Sequence, residues 1–161
     1  MILILMLAAL HALVGIPDYL QGTGQYWMRA LTYSFFHASW WHLAVNGIAI
    51  WTIFDPRRKV KMPQVPLVAF FIAVLVYPLS FRPVIGFSNV IYAVLGLRTP
   101  PLSSPSWKQP SVIAFLIITV ALLFVPRFSA TTHIAAFLLG MAGAAIQRSY
   151  HNITQDARRY L

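Results

Sequence analysis

Apolar runs of near-membrane length recur through this sequence, and that feature removes most of the folds open to a chain of 161 residues. Six runs stand out, at roughly residues 1–16, 27–54, 64–80, 84–98, 110–126 and 130–150. Each is near the ~20 residues that a helical bilayer span needs. Only 9% of the residues are charged, against about 25% in an ordinary soluble domain. Lipid offers a backbone no hydrogen-bond partners, so runs of this kind must close their bonds internally as helices. The expectation is an all-α membrane protein, a six-transmembrane-helix bundle forming a single domain over residues 1–161. Several runs are short, which implies tilt or half-buried ends. Proline and glycine punctuate the connections: Pro17, the pair Pro56 and Pro63, the pair Pro78 and Pro83, the stretch TPPLSSPSWKQP, and Pro126. Residues 1–16 lack a basic leading region and an A-x-A cleavage site, so they read as a short first span rather than a signal peptide.

The net charge of +9 suggests nucleic acid at first sight. The basic residues, however, fall in short loops between apolar runs, where the positive-inside rule accounts for them. With the N-terminus cytoplasmic, Arg57, Arg58, Lys59, Lys61, Arg98, Lys108, Arg148, Arg158 and Arg159 lie inside, and only Arg29, Arg82 and Arg127 lie outside. Both termini are then cytoplasmic, and the second, fourth and sixth runs start at one depth near the outer face. The partner expected is a lipid bilayer and not a nucleic acid. Cysteine is absent, which excludes disulfides, Cys-ligated zinc and thiol catalysis. No metal or other cofactor is expected.

Polar residues interrupt these runs at their outer ends. The second carries HASWWHLAVN, with His37, His42 and Asn46. His42 and Asn46 are four apart and share a helix face, while His37 falls about 140° round the same helix. Ser88 opens the fourth run within GFSNVIYAVLG, and His133 stands near the start of the sixth. Ionisable groups inside a membrane are costly and mark functional sites. Each has a bland reading as well. Serine is a preferred N-cap, and His42 with Asn46 would serve as hydrogen-bonding glue between helices. Their common depth favours chemistry. A serine hydroxyl needs a base, histidine is the usual one, and a helix start offers unpaired N–H groups to an oxyanion. The only carboxylates, Asp18, Asp55 and Asp156, lie in loops or the tail. A serine hydrolase here would work with a Ser/His dyad, its imidazole held by something other than an acid.

These motifs resemble the rhomboid intramembrane serine proteases, over nearly the whole chain. The family's H-x4-H-x3-N reads as His37, His42 and Asn46. Its G-x-S-G, with tyrosine four residues after the serine and glycine eight after, reads as Gly86, Ser88, Asn89, Tyr92 and Gly96. Its A-H-x-x-G-x-x-x-G reads as Thr132, His133, Ala136 and Gly140. Arg29 matches the arginine of the family's first outer loop, though Met28 stands where a tryptophan usually precedes it.

The resemblance implies Ser88 as nucleophile and His133 as general base, then acid. It implies an oxyanion hole of His42, Asn46 and the Ser88 backbone N–H, with Gly86 and His37 in the same substrate-binding group and Tyr92 stacked on His133. The substrates would be transmembrane protein segments, and the setting a cell membrane of bacterial inner-membrane type with the site toward the outer face. Helix five and the loop PRFSATT would gate access. Two departures bear on activity. Asn89 replaces a glycine, where its side chain would crowd substrate or the sixth helix, donate a hydrogen bond, or help cap the fourth. Ala136 replaces a second glycine, which should loosen packing slightly. They keep a rival in play, a weak or inactive rhomboid relative that binds membrane clients. A transporter is disfavoured, because its polar groups would sit near the midplane.

Overall fold

The computed structural model describes residues 2–21, 26–53, 65–80, 85–99, 120 and 129–159. The fifth predicted span, 110–126, lies outside these residues apart from position 120. So do the basic loop 55–63 and the TPPLSSPSWKQP connection beyond Thr99. Among the described residues the chain is all-helical. Helix α1 is Ile2–Leu13, α2 is Asp18–Gln21, α3 is Tyr26–Thr32, α4 is Trp40–Ile53, α5 is Val65–Val76, α6 is Ser88–Leu97 and α7 is Ala130–Arg159. Short 3₁₀ turns at Tyr33–Phe35 and Tyr77–Leu79 follow α3 and α5.

Helix α6 occupies the centre. It packs most extensively on α7, then on α5 and α4, while α1 lies against α4. Small residues allow these approaches. Ala69 and Ala73 of α5, Ala93 of α6 and Ala136 of α7 are fully buried. Gly47 of α4 faces α1, where a Cβ would stand 3.4 Å from Ile4 Cγ2. The tightest contact joins α6 to α7. A Cβ on Gly96 would run into the Phe137 carbonyl, one on Gly140 would run into the Ala93 carbonyl, and each would lie 3.0 Å from the other glycine's Cα. Without side chains at these two positions the backbones touch, which is how helices associate where lipid removes the hydrophobic drive. At the far end Arg148 donates to the Thr99 carbonyl at 3.1 Å, tying α7 to the exit of α6.

Burial is inverted relative to a water-soluble domain. Leu67, Leu75, Ile48, Leu138 and Ile146 face outward, whereas Ser34, His37, Asn46, Asn89, Thr132 and His133 are buried. One described helix, over Ala130–Gln155, is long and apolar enough to cross a membrane by itself. Helix α7 has 30 residues, or ~45 Å at the usual rise. The α1, α5 and α6 stretches are apolar but shorter.

The second predicted span, 27–54, is broken. Its N-terminal part forms α3 and the first 3₁₀ turn, the chain becomes extended at Phe36 (φ −103°, ψ 153°), and α4 begins only at Trp40. Ser39 causes the restart. Its hydroxyl accepts the His42 backbone N–H at 3.1 Å and its carbonyl accepts that of Leu43, an N-cap arrangement. His37 therefore lies in the connection before α4 and not round the α4 helix. Helix α5 ends where Pro78 removes the next backbone donor.

Candidate active site

Three helix starts converge at one end of the bundle. Ser88 is the first residue of α6, after a cap residue, Phe87, that makes no side-chain capping bond. The Ser88 hydroxyl instead meets Nε2 of His133 at 2.7 Å. Nδ1 of the same ring contacts the Ser129 carbonyl at 2.5 Å. A carbonyl only accepts, so Nδ1 carries the proton and Nε2 presents a lone pair to the Ser88 O–H. The tautomer is thus set by a backbone carbonyl four residues upstream, immediately before α7, rather than by a carboxylate. The Ser129 carbonyl also receives the His133 backbone N–H at 3.3 Å and the Thr132 hydroxyl at 3.0 Å. Ser129 and Thr132 are further joined through their hydroxyls at 2.9 Å. His133 is 4% exposed, and the Tyr92 ring meets it edge to face at 4.8 Å between centroids and 71° between planes. The stacking that the resemblance implied for this pair is an edge-to-face contact, which suits the ring quadrupoles.

Beside this pair, α4 presents His42 and Asn46 to the turn ahead of Ser88. Gly86 takes φ +123°, a conformation open to glycine and few other residues. A Cβ there would lie 2.5 Å from His42 Cε1, 2.8 Å from His42 Nε2 and 3.3 Å from Asn46 Nδ2. Two side-chain nitrogens therefore close on the Gly86 backbone where nothing but hydrogen fits. Asn46 Nδ2 is buried with no partner among the described residues. A buried donor of that kind is costly unless something arrives to accept from it. His37 is fully buried with its ring 5.3 Å from that of His42, and neither of its ring nitrogens has a partner among the described residues.

A family model for the rhomboid domain matches residues 24–150, well over half of the chain. The chain belongs to the rhomboid family. Comparison with curated proteins and with solved structures gives no significant match.

As a rhomboid-family membrane protein, the chain brings Ser88, His133 and Tyr92 into one cluster and Gly86, His42, Asn46 and His37 into an adjoining one. Arg29 sits half-buried on α3. Asn89, the departure from the rhomboid pattern, is fully buried and donates through Nδ2 to the Tyr33 hydroxyl at 2.9 Å. Of the roles weighed for it, hydrogen-bond donation is the one observed. Three contributors escaped the sequence reading. Ser39 was detectable as a Ser three residues before His42 at a helix start. Ser129 supplies only a backbone group to the His133 ring, which leaves no residue-type signal beyond i, i+4 spacing. Tyr33 acts through tertiary contacts that no local pattern encodes.

Proposed function

We propose that this rhomboid-family membrane protein is an intramembrane serine endopeptidase that cuts transmembrane segments of other membrane proteins. The observation that carries the reading is the 2.7 Å contact of Ser88 Oγ with a His133 Nε2 whose opposite nitrogen is held by a backbone carbonyl. In the proposed reaction Nε2 takes the Ser88 proton as Oγ attacks the scissile carbonyl. The oxyanion is received by the Ser88 backbone N–H, unpaired at the helix start, and by His42 and Asn46 side chains. The resulting imidazolium then gives its proton to the leaving amine. Water, activated by the same Nε2, hydrolyses the acyl-enzyme on Ser88 and regenerates the hydroxyl. Tyr92 confines the ring of His133 throughout. A lipid-embedded substrate helix has its carbonyls hydrogen-bonded, so it must unwind locally before attack.

The reading includes a single domain of six spans, cytoplasmic termini and a site opening toward the outer face of a cell membrane, with the fifth predicted span, 110–126, and the PRFSATT stretch, whose last three residues begin α7, as gates. The lysine and arginine distribution supports that orientation. Cleavage of a reporter transmembrane segment in liposomes tests it, with wild type beside Ser88→Ala and His133→Ala. Cleavage by wild type alone is expected. Absence of cleavage by all three, with folded protein, would replace the protease by a relative that binds membrane clients without cutting them.

A further inference from the structure

One residue grips the chain on both sides of Ser88. The Tyr33 backbone carbonyl accepts the N–H of Gly86, two residues before the serine, at 3.0 Å. The Tyr33 hydroxyl accepts from Nδ2 of Asn89, the residue after the serine, at 2.9 Å. The same hydroxyl donates to the Ala73 carbonyl of α5 at 2.9 Å. Ala73 belongs to the last turn of α5, so the bond anchors the ring in the bundle. Tyr33 and Asn89 are both 0% exposed, and the Tyr77 ring backs Tyr33 at 5.0 Å. The other amide atom of Asn89, Oδ1, has no partner among the described residues. Its hydrogen bond to Tyr33 is thus what orients that buried amide.

From this geometry we infer that Tyr33 and Asn89 are positioning residues, a splint that holds the 86–89 turn so that the Ser88 hydroxyl stays on His133 Nε2. Neither touches the reacting atoms. A glycine after the serine would leave the turn tied at Gly86 alone; asparagine adds the second tie. The catalytic consequence rests on Ser88 being the nucleophile, whereas the mechanical one does not. A displacement near 1 Å at a reacting group costs about 10²-fold in rate, which sets the scale of the expected effect.

The test compares wild type, Tyr33→Phe, Asn89→Ala and the double variant in nanodiscs, by amide hydrogen exchange and by reporter cleavage. Tyr33→Phe keeps the ring and deletes only the hydroxyl, and unchanged exchange in α7 shows that the fold is kept. Exchange in the segment 86–89 should quicken at least ten-fold in each single variant, and no further in the double, while residues 140–155 of α7 stay unchanged. In cleavage, kcat should fall roughly 10- to 100-fold with KM unmoved. Unchanged exchange at 86–89, or quickening spread equally along α7, overturns the splint. A wild-type protein that cleaves nothing removes the protease reading, and the exchange comparison still decides the splint.

Discussion

Replacing Gly86 by alanine separates the cost of backbone strain from the cost of displacing His42, the proposed oxyanion donor. At φ +123° an L side chain occupies a sparsely populated region, which costs about 1–3 kcal/mol. The new Cβ would also stand 2.5 Å from His42 Cε1 and 2.8 Å from its Nε2, so one group must move. The atoms it meets are the tip of a side chain with two rotatable bonds, and His42 yields by rotating away. The fold therefore survives with a modest loss, but the donor leaves the site. Losing one oxyanion donor typically costs 10² to 10³ in rate, about 2.7–4 kcal/mol. We expect Gly86→Ala to lower kcat by that factor while remaining folded in a detergent-unfolding assay. His42→Ala should lose a similar factor, and the double variant should be scarcely worse than either alone, because both remove the same contact. Additive losses would refute the reasoning, since they would mean Gly86 acts through something other than His42. Full activity in Gly86→Ala would refute it more directly.

Further outcomes follow from other contacts. Ser39→Ala removes the N-cap of α4 and should cost about 1 kcal/mol of stability, read by unfolding, with some loss of kcat because the cap seats the turn carrying His42. Gly140→Val drives a branched side chain into the Ala93 carbonyl and should destabilise by at least the ~1–3 kcal/mol typical of overpacking. Tyr92→Leu removes the ring edge from His133 and should lower kcat about ten-fold, in line with the ~0.5–1.5 kcal/mol of an aromatic pair, with KM unchanged; Tyr92→Phe should retain most of the rate.

The parts of this molecule that are visible in its sequence are those where lipid leaves few options. A serine, two histidines and an asparagine in apolar runs require a reason, and their positions at helix starts locate them relative to each other before any tertiary contact is known. Ser88 set beside His133, with His42 and Asn46 at the same depth, follows from that logic; Gly86 entered only through the resemblance to the rhomboid pattern. The break before α4 does not, because residues 27–54 are predominantly apolar and hydrophobicity carries no information about where such a stretch stops being helical. There the decision falls to one capping serine. Tyr33 is the deeper case. An aromatic residue in an apolar run is unremarkable until its hydroxyl and its carbonyl are seen to reach α5, Asn89 and Gly86 at once. Asn89 was conspicuous only as a departure from the family pattern, and its role depends on that distant ring.

The glycine contact between α6 and α7 acts as the fulcrum of a pair of levers. Gly96 stands eight residues beyond Ser88, and Gly140 seven beyond His133, so both arms are roughly 10–12 Å long at the helical rise. Rocking one helix by about 5° around that pivot would separate the hydroxyl from the imidazole by roughly 1 Å, the displacement that costs about a hundredfold in rate. The alignment of Ser88 and His133 is therefore gauged two turns below them, by the backbone contact of Gly96 with Gly140. A substitution at this pivot would be felt as a fault in aim at the mouth of the bundle, even where every residue around Ser88 is intact.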